Sequence, residues 1–148
     1  MRAIFLSITF CLISSISLGK TVLWKDLVEN PGDGLVYNKF LTMPFTGAAK
    51  STYESGQLKT VFNFIDGETQ GLGEEYYEGG QLKSKFNLTD GKLNGPHETY
   101  HENGQLKYRW NYKDGKMHGL QEDYEVDGSL SFSIKYENLS LIHISEPT

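Results

Sequence analysis

His97 and His101 stand four residues apart, the spacing at which one face of a helix offers two imidazoles to a single zinc ion. Their surroundings alternate apolar and polar residues with a period of two, which is the signature of a strand. On a strand, four residues span roughly 13 Å at about 3.3 Å per residue, whereas a zinc–nitrogen bond is about 2.1 Å, so one ion cannot take both. His118 falls beside a turn and His143 near the C-terminus. The histidines are expected to be solvated, and the chain to hold no metal and no cofactor. Carboxylates are the other candidates for chemistry: Glu74, Glu98 and Glu122 recur at equal spacing, as do Glu54, Glu78 and Glu102. Two carboxylates do acid–base work only where a pocket shifts one of them and substrate sits between. One carboxylate per repeated unit is a solvated stripe, expected to meet the Lys59, Lys83, Lys107 column across strands. No asymmetric constellation remains, so no catalytic residue and no enzymatic activity are expected.

The elements that carry these residues repeat. Glycines recur every 24 residues at Gly56, Gly80, Gly104 and Gly128, at Gly67, Gly91 and Gly115, and at Gly47, Gly71, Gly95 and Gly119. Apolar columns keep the same register: Leu58, Leu82, Leu106 and Leu130; Phe62, Phe86, Trp110 and Ile134; Tyr76, Tyr100 and Tyr124. A fixed period of this length signals an array whose units bury surface only by stacking. Within one unit, Leu106, Tyr108, Trp110 and Tyr112 alternate with Lys107, Arg109 and Asn111, a half-buried strand. The shorter arm before it joins through Glu102-Asn103-Gly104, and a three-residue loop ending in a left-handed glycine pairs Tyr100 with Leu106. The leucine, Phe62, Phe86, Trp110 and Tyr76, Tyr100, Tyr124 columns are then expected to form one buried repeat core. Tyr53, Tyr77 and Tyr108 are left as candidate interface residues, the first two on the opposite face. All three glycine columns are read as turns. The fold class is all-β: tandem 24-residue hairpins stacked edge to edge in an elongated, single-layer, twisted antiparallel sheet.

The two ends depart from this pattern. Met1 and Arg2 lead into an apolar run from Ala3 to Leu12 and a small-residue stretch ending at Gly19, the layout of a secretory signal over residues 1–19. Its apolar run is shorter than the roughly 20 residues a spanning helix needs. Phe10 before Cys11 argues against lipidation, and with Cys11 removed the exported chain has no thiol. Residues 20–46 are expected to cap the exposed edge of an array over 47–138 of about four units. The final ten residues, Leu139 to Thr148, resemble the translation of a transposon-type sequencing adapter, and begin where the register calls for glycine. They are expected to be foreign to the fold, with any strand there a simple extension of the preceding one. The chain carries 14 basic and 19 acidic residues, a formal charge of −5 that excluding both ends leaves unchanged, because Arg2 and Glu146 cancel. Such a surface is a poor ligand for nucleic acid and is repelled by anionic lipid.

The segments "YYEGGQLKSKFNLTDGKLNG" and "TYHENGQLKYRWNYKDGKMHG" resemble the MORN repeat variant of bacterial proteins grouped as YwqK-type antitoxins, many of them exported. The resemblance spans Pro44 to Asn138 and weakens in the fourth unit, where Ser129 and Ser131 replace glutamine and lysine. It implies a noncatalytic interaction module, periplasmic, envelope-bound or secreted, that holds a protein partner in an antitoxin-like manner. Association with a membrane or envelope surface is the alternative function.

Overall fold

The computed structural model describes residues 20–137 and 140–145, with side chains from 20 to 136. The expected signal segment, 1–19, lies outside the described residues. The chain opens with β1 (Thr21–Leu23), one 3-10 turn (Trp24–Asp26), β2 (Leu27–Glu29) and β3 (Val36–Asn38). It continues as β4 (Gly47–Thr52), β5 (Leu58–Ile65), β6 (Glu68–Thr69), β7 (Gly71–Tyr76), β8 (Leu82–Thr89) and β9 (Lys92–Tyr100). The last strands are β10 (Leu106–Lys113), β11 (Lys116–Tyr124), β12 (Leu130–Glu137) and β13 (Ser140–Ser145). From β4 onward sequence neighbours are sheet neighbours, except that the short β6 pairs with β5 and β7 pairs with β5 beyond it, giving one antiparallel sheet of successive hairpins to which β1 adds a parallel edge strand. This is the expected all-β array.

Each glycine column has its own geometry. Gly56, Gly80, Gly104 and Gly128 have φ of 83–87° and close the long-arm loops. In one of them the His101 amide donates to the Gln105 carbonyl at 2.8 Å and the Gly104 amide to the His101 carbonyl at 2.9 Å. The Asp-Gly pairs differ, because both residues are left-handed: Asp66 and Gly67 at 48° and 84°, Asp90 and Gly91 at 49° and 71°, Asp114 and Gly115 at 51° and 76°. That is the two-residue turn whose twist matches the flanking strands, and aspartate, like asparagine, tolerates the conformation better than most side chains. Gly71, Gly95 and Gly119 are not turns, contrary to the expectation. Gly95 and Gly119 lie inside β9 and β11 where the register shifts, and Gly71 follows the break between β6 and β7. They let one arm of each unit bulge and bend. Side chains repair the ladder at the bends: the Gln121 amide clamps both the Asn111 amide and its carbonyl at 3.0 Å, and Asn63 Nδ2 donates to the Leu72 carbonyl at 2.8 Å.

A single sheet has nothing to lay over most of its surface, and this corrects the expected core. The columns of Leu58, Leu82, Leu106, of Phe62, Phe86, Trp110 and of Tyr76, Tyr100, Tyr124 are half-buried, and Leu130 is exposed. Among the described residues the buried apolar side chains are Leu27, Phe45, Ala49 and Phe64, all where the cap folds onto the first unit. The cap therefore covers more than an edge. β1 pairs with β4, while Trp24 tilts against Phe62 and Phe64 at 5.6 and 5.7 Å and Phe45 against Phe64 at 5.8 Å.

Residues 140–145 do not extend β12. They turn back and pair with it as β13, with Ile134 opposite Ile144 and Glu137 opposite Ser140. The open edge of β12 presents backbone donors and acceptors that any sequence able to extend can satisfy.

Gly67 joins cap and array, since its amide donates to the Phe45 carbonyl at 2.8 Å and its carbonyl accepts from the Val36 amide at 2.9 Å. A Cβ there would stand 2.9 Å from Leu35 Cβ and 3.0 Å from the Val36 backbone, whereas at Gly91 the nearest atom is Thr69 Oγ1 at 3.8 Å. Alanine would be strained by left-handed backbone at both positions, and only at Gly67 would it also clash with main chain. Gly67→Ala is expected to destabilise by about 2–3 kcal/mol and Gly91→Ala by about 1 kcal/mol, read as midpoints of thermal or urea unfolding.

Candidate functional site

The two faces of the sheet are chemically different. On one, strand alternation aligns Glu74 with Lys85, Lys85 with Glu98, Glu98 with Arg109, and Arg109 with Glu122. Glu98 is its centre: Oε2 accepts from Lys85 Nζ at 2.8 Å and Tyr100 hydroxyl at 2.7 Å, and Oε1 from Arg109 Nε at 2.8 Å. Arg109 also reaches Glu122 at 3.8 Å. Burial disfavours the charge, but the bonds from Lys85, Tyr100 and Arg109 outweigh it and hold the Glu98 carboxyl at about 2 instead of 4.5. The carboxylate stripe thus meets Lys85 and Arg109, and not the Lys59, Lys83, Lys107 column. Lys59 instead lies over the Tyr53 ring at 5.5 Å and Lys83 over Tyr77 at 6.0 Å.

A recurring bulge causes the difference. After every long-arm loop the register slips, between Ser51 and Thr52, Glu75 and Tyr76, Leu106 and Tyr108, and Asp123 and Tyr124. Tyr100 is indeed the partner of Leu106, yet its hydroxyl bonds Glu98 and Lys85 sits 5.8 Å over its ring. Tyr76 likewise bonds Glu74 at 3.0 Å. The Tyr76, Tyr100, Tyr124 column belongs to the charged face and not to the face of Phe86 and Trp110.

That other face carries a run of rings. Phe62 meets Phe86 at 5.7 Å, Phe86 meets His97 edge-on at 5.2 Å, His97 meets Tyr108 at 5.7 Å, and Tyr108 stacks on Trp110 at 4.5 Å. Gly73 makes the run possible, because a Cβ there would lie 2.5 Å from Phe86 Cε2. Trp110 is held by its Nε1 donating to Asp123 Oδ1 at 2.6 Å. Tyr53 and Tyr77, expected as free interface residues, are inter-unit struts: their hydroxyls donate to the carbonyls of Tyr76 and Tyr100, each at 2.8 Å. Tyr108 alone of the three sits in the ring cluster.

His97 corrects the expectation of solvated histidines. It is half-buried among Phe86, Tyr108 and Tyr112, its Nε2 is 2.8 Å from Ser84 Oγ, and its Nδ1 is buried without a partner. Burial pushes its pKa down, opposed in part by Glu75, so the imidazole is neutral at physiological pH. A serine bonded to a neutral imidazole is a nucleophile–base pair in outline. Here the serine is 4% exposed, within strand β8, and substrate has no approach to it. Sequence reading missed the pair because its members are on adjacent strands 13 residues apart. The visible signal was that Ser84 occupies the column of Tyr108 and lies on the same side of its strand as Phe86. The depression between Leu72, Lys85, Asn87, Pro96 and Glu98 holds about 350 Å³, and its charges already satisfy one another. No group of three or more metal-ligating side chains occurs among the described residues.

With this geometry in place, the comparisons are specific about the repeat. The family model described as MORN repeat variant matches residues 69–90 and 93–114. Those two units are MORN-type hairpins. The first match takes in β7 with β8 and the second β9 with β10, the central, charge-laddered pair. No curated protein matches the chain. A solved structure, that of a mutant of S. aureus TarM in complex with Fondaparinux, alpha-GlcNAc-glycerol and UDP, is similar with 12% identity and a TM-score of 0.42. The similarity covers 81% of this chain and 22% of that one, so the chain spans about a fifth of the structure it matches.

Glu98 supplies a pH test. A depressed carboxyl contributes stability that is complete above its ordinary value, 4.5, and lost as the pH falls through about 2. Glu98→Gln is expected to be less stable than the parent by about 2 kcal/mol at neutral pH. Chemical unfolding measured from neutral pH down should show the two converging below pH 4.5; a constant gap would contradict the assignment.

Proposed function

We propose that the chain is a noncatalytic, exported repeat protein whose ring-bearing face holds a protein partner. MORN repeats generally act as protein- or membrane-binding modules. The observation that carries the reading is the ring run from Phe86 through His97 to Trp110: it is half-buried, rigidly held from within the sheet, and beyond the cap no second layer covers it among the described residues. Aromatic side chains already fixed in place are the residues that anchor protein interfaces, because docking on them immobilises little further freedom. The carboxylates support a noncatalytic role, since Glu98, the one strongly shifted, is tied up by Lys85, Arg109 and Tyr100. An antitoxin-like role would require one tightly captured toxin, and a toxin-like reading frame beside the gene is the observation that would support it.

The test is capture from an envelope extract by the full chain, comparing Tyr108→Ala with Lys107→Ala. A saturable protein partner is expected, weakened about ten-fold by the tyrosine change and little by the lysine change. A folded chain that captures no saturable partner, or one indifferent to Tyr108, would refute the reading.

A further inference from the structure

The cap carries an apolar projection that the sheet does not use. Phe40 is 82% exposed, Met43 72% and Leu41 54%. Single exposed apolar residues are ordinary, but three large ones within four positions of one turn form a patch. The turn that bears them is pinned. The Lys39 amide donates to the Asp26 carbonyl and the Leu41 amide to the Asn38 carbonyl, both at 2.9 Å, and the Phe40 amide donates to Asn38 Oδ1 at 3.0 Å. Asn38 itself is buried, and the returning chain is fastened by a Tyr37–Pro44 bridge and by the Phe45 amide on the Val36 carbonyl at 2.8 Å. Gly67 then ties the cap to the array. Exposure of the three side chains is therefore built into the backbone.

Charge is arranged around this tip with a direction. β2 and β3 pair with Leu27 opposite Asn38 and Glu29 opposite Val36, so their ladder has two distinct ends. At the Asn38 end stand the tip, Lys39, Asp26 and Lys25, the last of which accepts from Lys39 Nζ at its carbonyl, two cations against one acid. The far end carries Glu29 and Asp33, the latter bonded by the Tyr37 hydroxyl at 2.8 Å and by Asn30. An apolar apex on a net cationic base, with Glu29 and Asp33 turned away, complements a bilayer, where hydrocarbon lies beneath phosphate. A protein pocket would not call for this gradient.

We infer that Phe40, Leu41 and Met43 insert into the interfacial layer of a lipid bilayer, with Lys25 and Lys39 at the headgroup phosphates. The insertion is driven by apolar burial, so it does not require anionic lipid, which the acidic array opposes. It is independent of partner capture on the ring-bearing face: either activity can fail while the other persists.

The test places a reporter at the tip of the full chain. Phe40→Trp is compared with Leu72→Trp, a site 45% exposed on the array, in phosphatidylcholine vesicles with and without phosphatidylglycerol. Tryptophan at 40 is expected to shift to shorter emission wavelength and to be quenched by brominated lipid in both vesicles, while tryptophan at 72 keeps its water-like emission. In flotation at limiting lipid, the Phe40→Ser, Met43→Ser double variant, folded by its circular dichroism, is expected to bind about ten-fold less than the parent chain. An unshifted residue 40, equal quenching at both sites, equal flotation of the double variant, or insertion only with phosphatidylglycerol would overturn the inference. So would capture of a soluble protein through Phe40 without any lipid response.

Discussion

Each hairpin in this chain has only its lateral neighbours with which to bury apolar surface. In a two-layer fold a side chain leaves water by pointing into the space between layers; here, past the cap, the described residues form no such space. Burial has to happen within the plane of one face, ring edge against ring face, from strand to strand. The columns follow from this. A phenyl ring in one unit is useful only if the next unit places another about 5–6 Å away, and a strict period accomplishes that without any long-range instruction. Where the rule is relaxed, at the cap, the buried cluster of Leu27, Phe45, Ala49 and Phe64 appears.

The same constraint explains why polar groups are so prominent in the sheet. With little apolar burial available per unit, the ladder itself must be complete, and its interruptions have side chains to mend them. Gln121 spans the gap at Asn111, Asn63 the gap at Leu72, and Tyr53 and Tyr77 cross between units. The charged face works in the same way. Glu98 binds Lys85, Tyr100 and Arg109, and so ties β8, β9 and β10 together as a packed core would.

What could be read from the sequence was whatever depends on one residue's own backbone. The positive φ of Gly56, Gly80, Gly104 and Gly128 and the Asp-Gly turns are local demands, visible as columns. The bulge after each long-arm loop is not local, since it depends on how two arms share an odd residue. Losing it put Tyr76 and Tyr100 on the wrong face and gave Glu98 the wrong lysine. His97 was misjudged for a related reason: its environment comes from Phe86, Tyr108 and Tyr112 on neighbouring strands, and composition around it in sequence is polar. Gly71, Gly95 and Gly119 look like the other glycine columns, and only pairing distinguishes a bend from a reversal.

The struts between units are not equal along the chain. Tyr53 and Tyr77 each hold the next unit's backbone at 2.8 Å, His101 occupies the third equivalent place at 3.4 Å, and Glu125 occupies the fourth. The fastening therefore weakens in one direction, and the cap clamps the opposite end. Under a pulling load such an array has a mechanical polarity: it peels from the far end toward the cap, the last units yielding before the two fastened by Tyr53 and Tyr77.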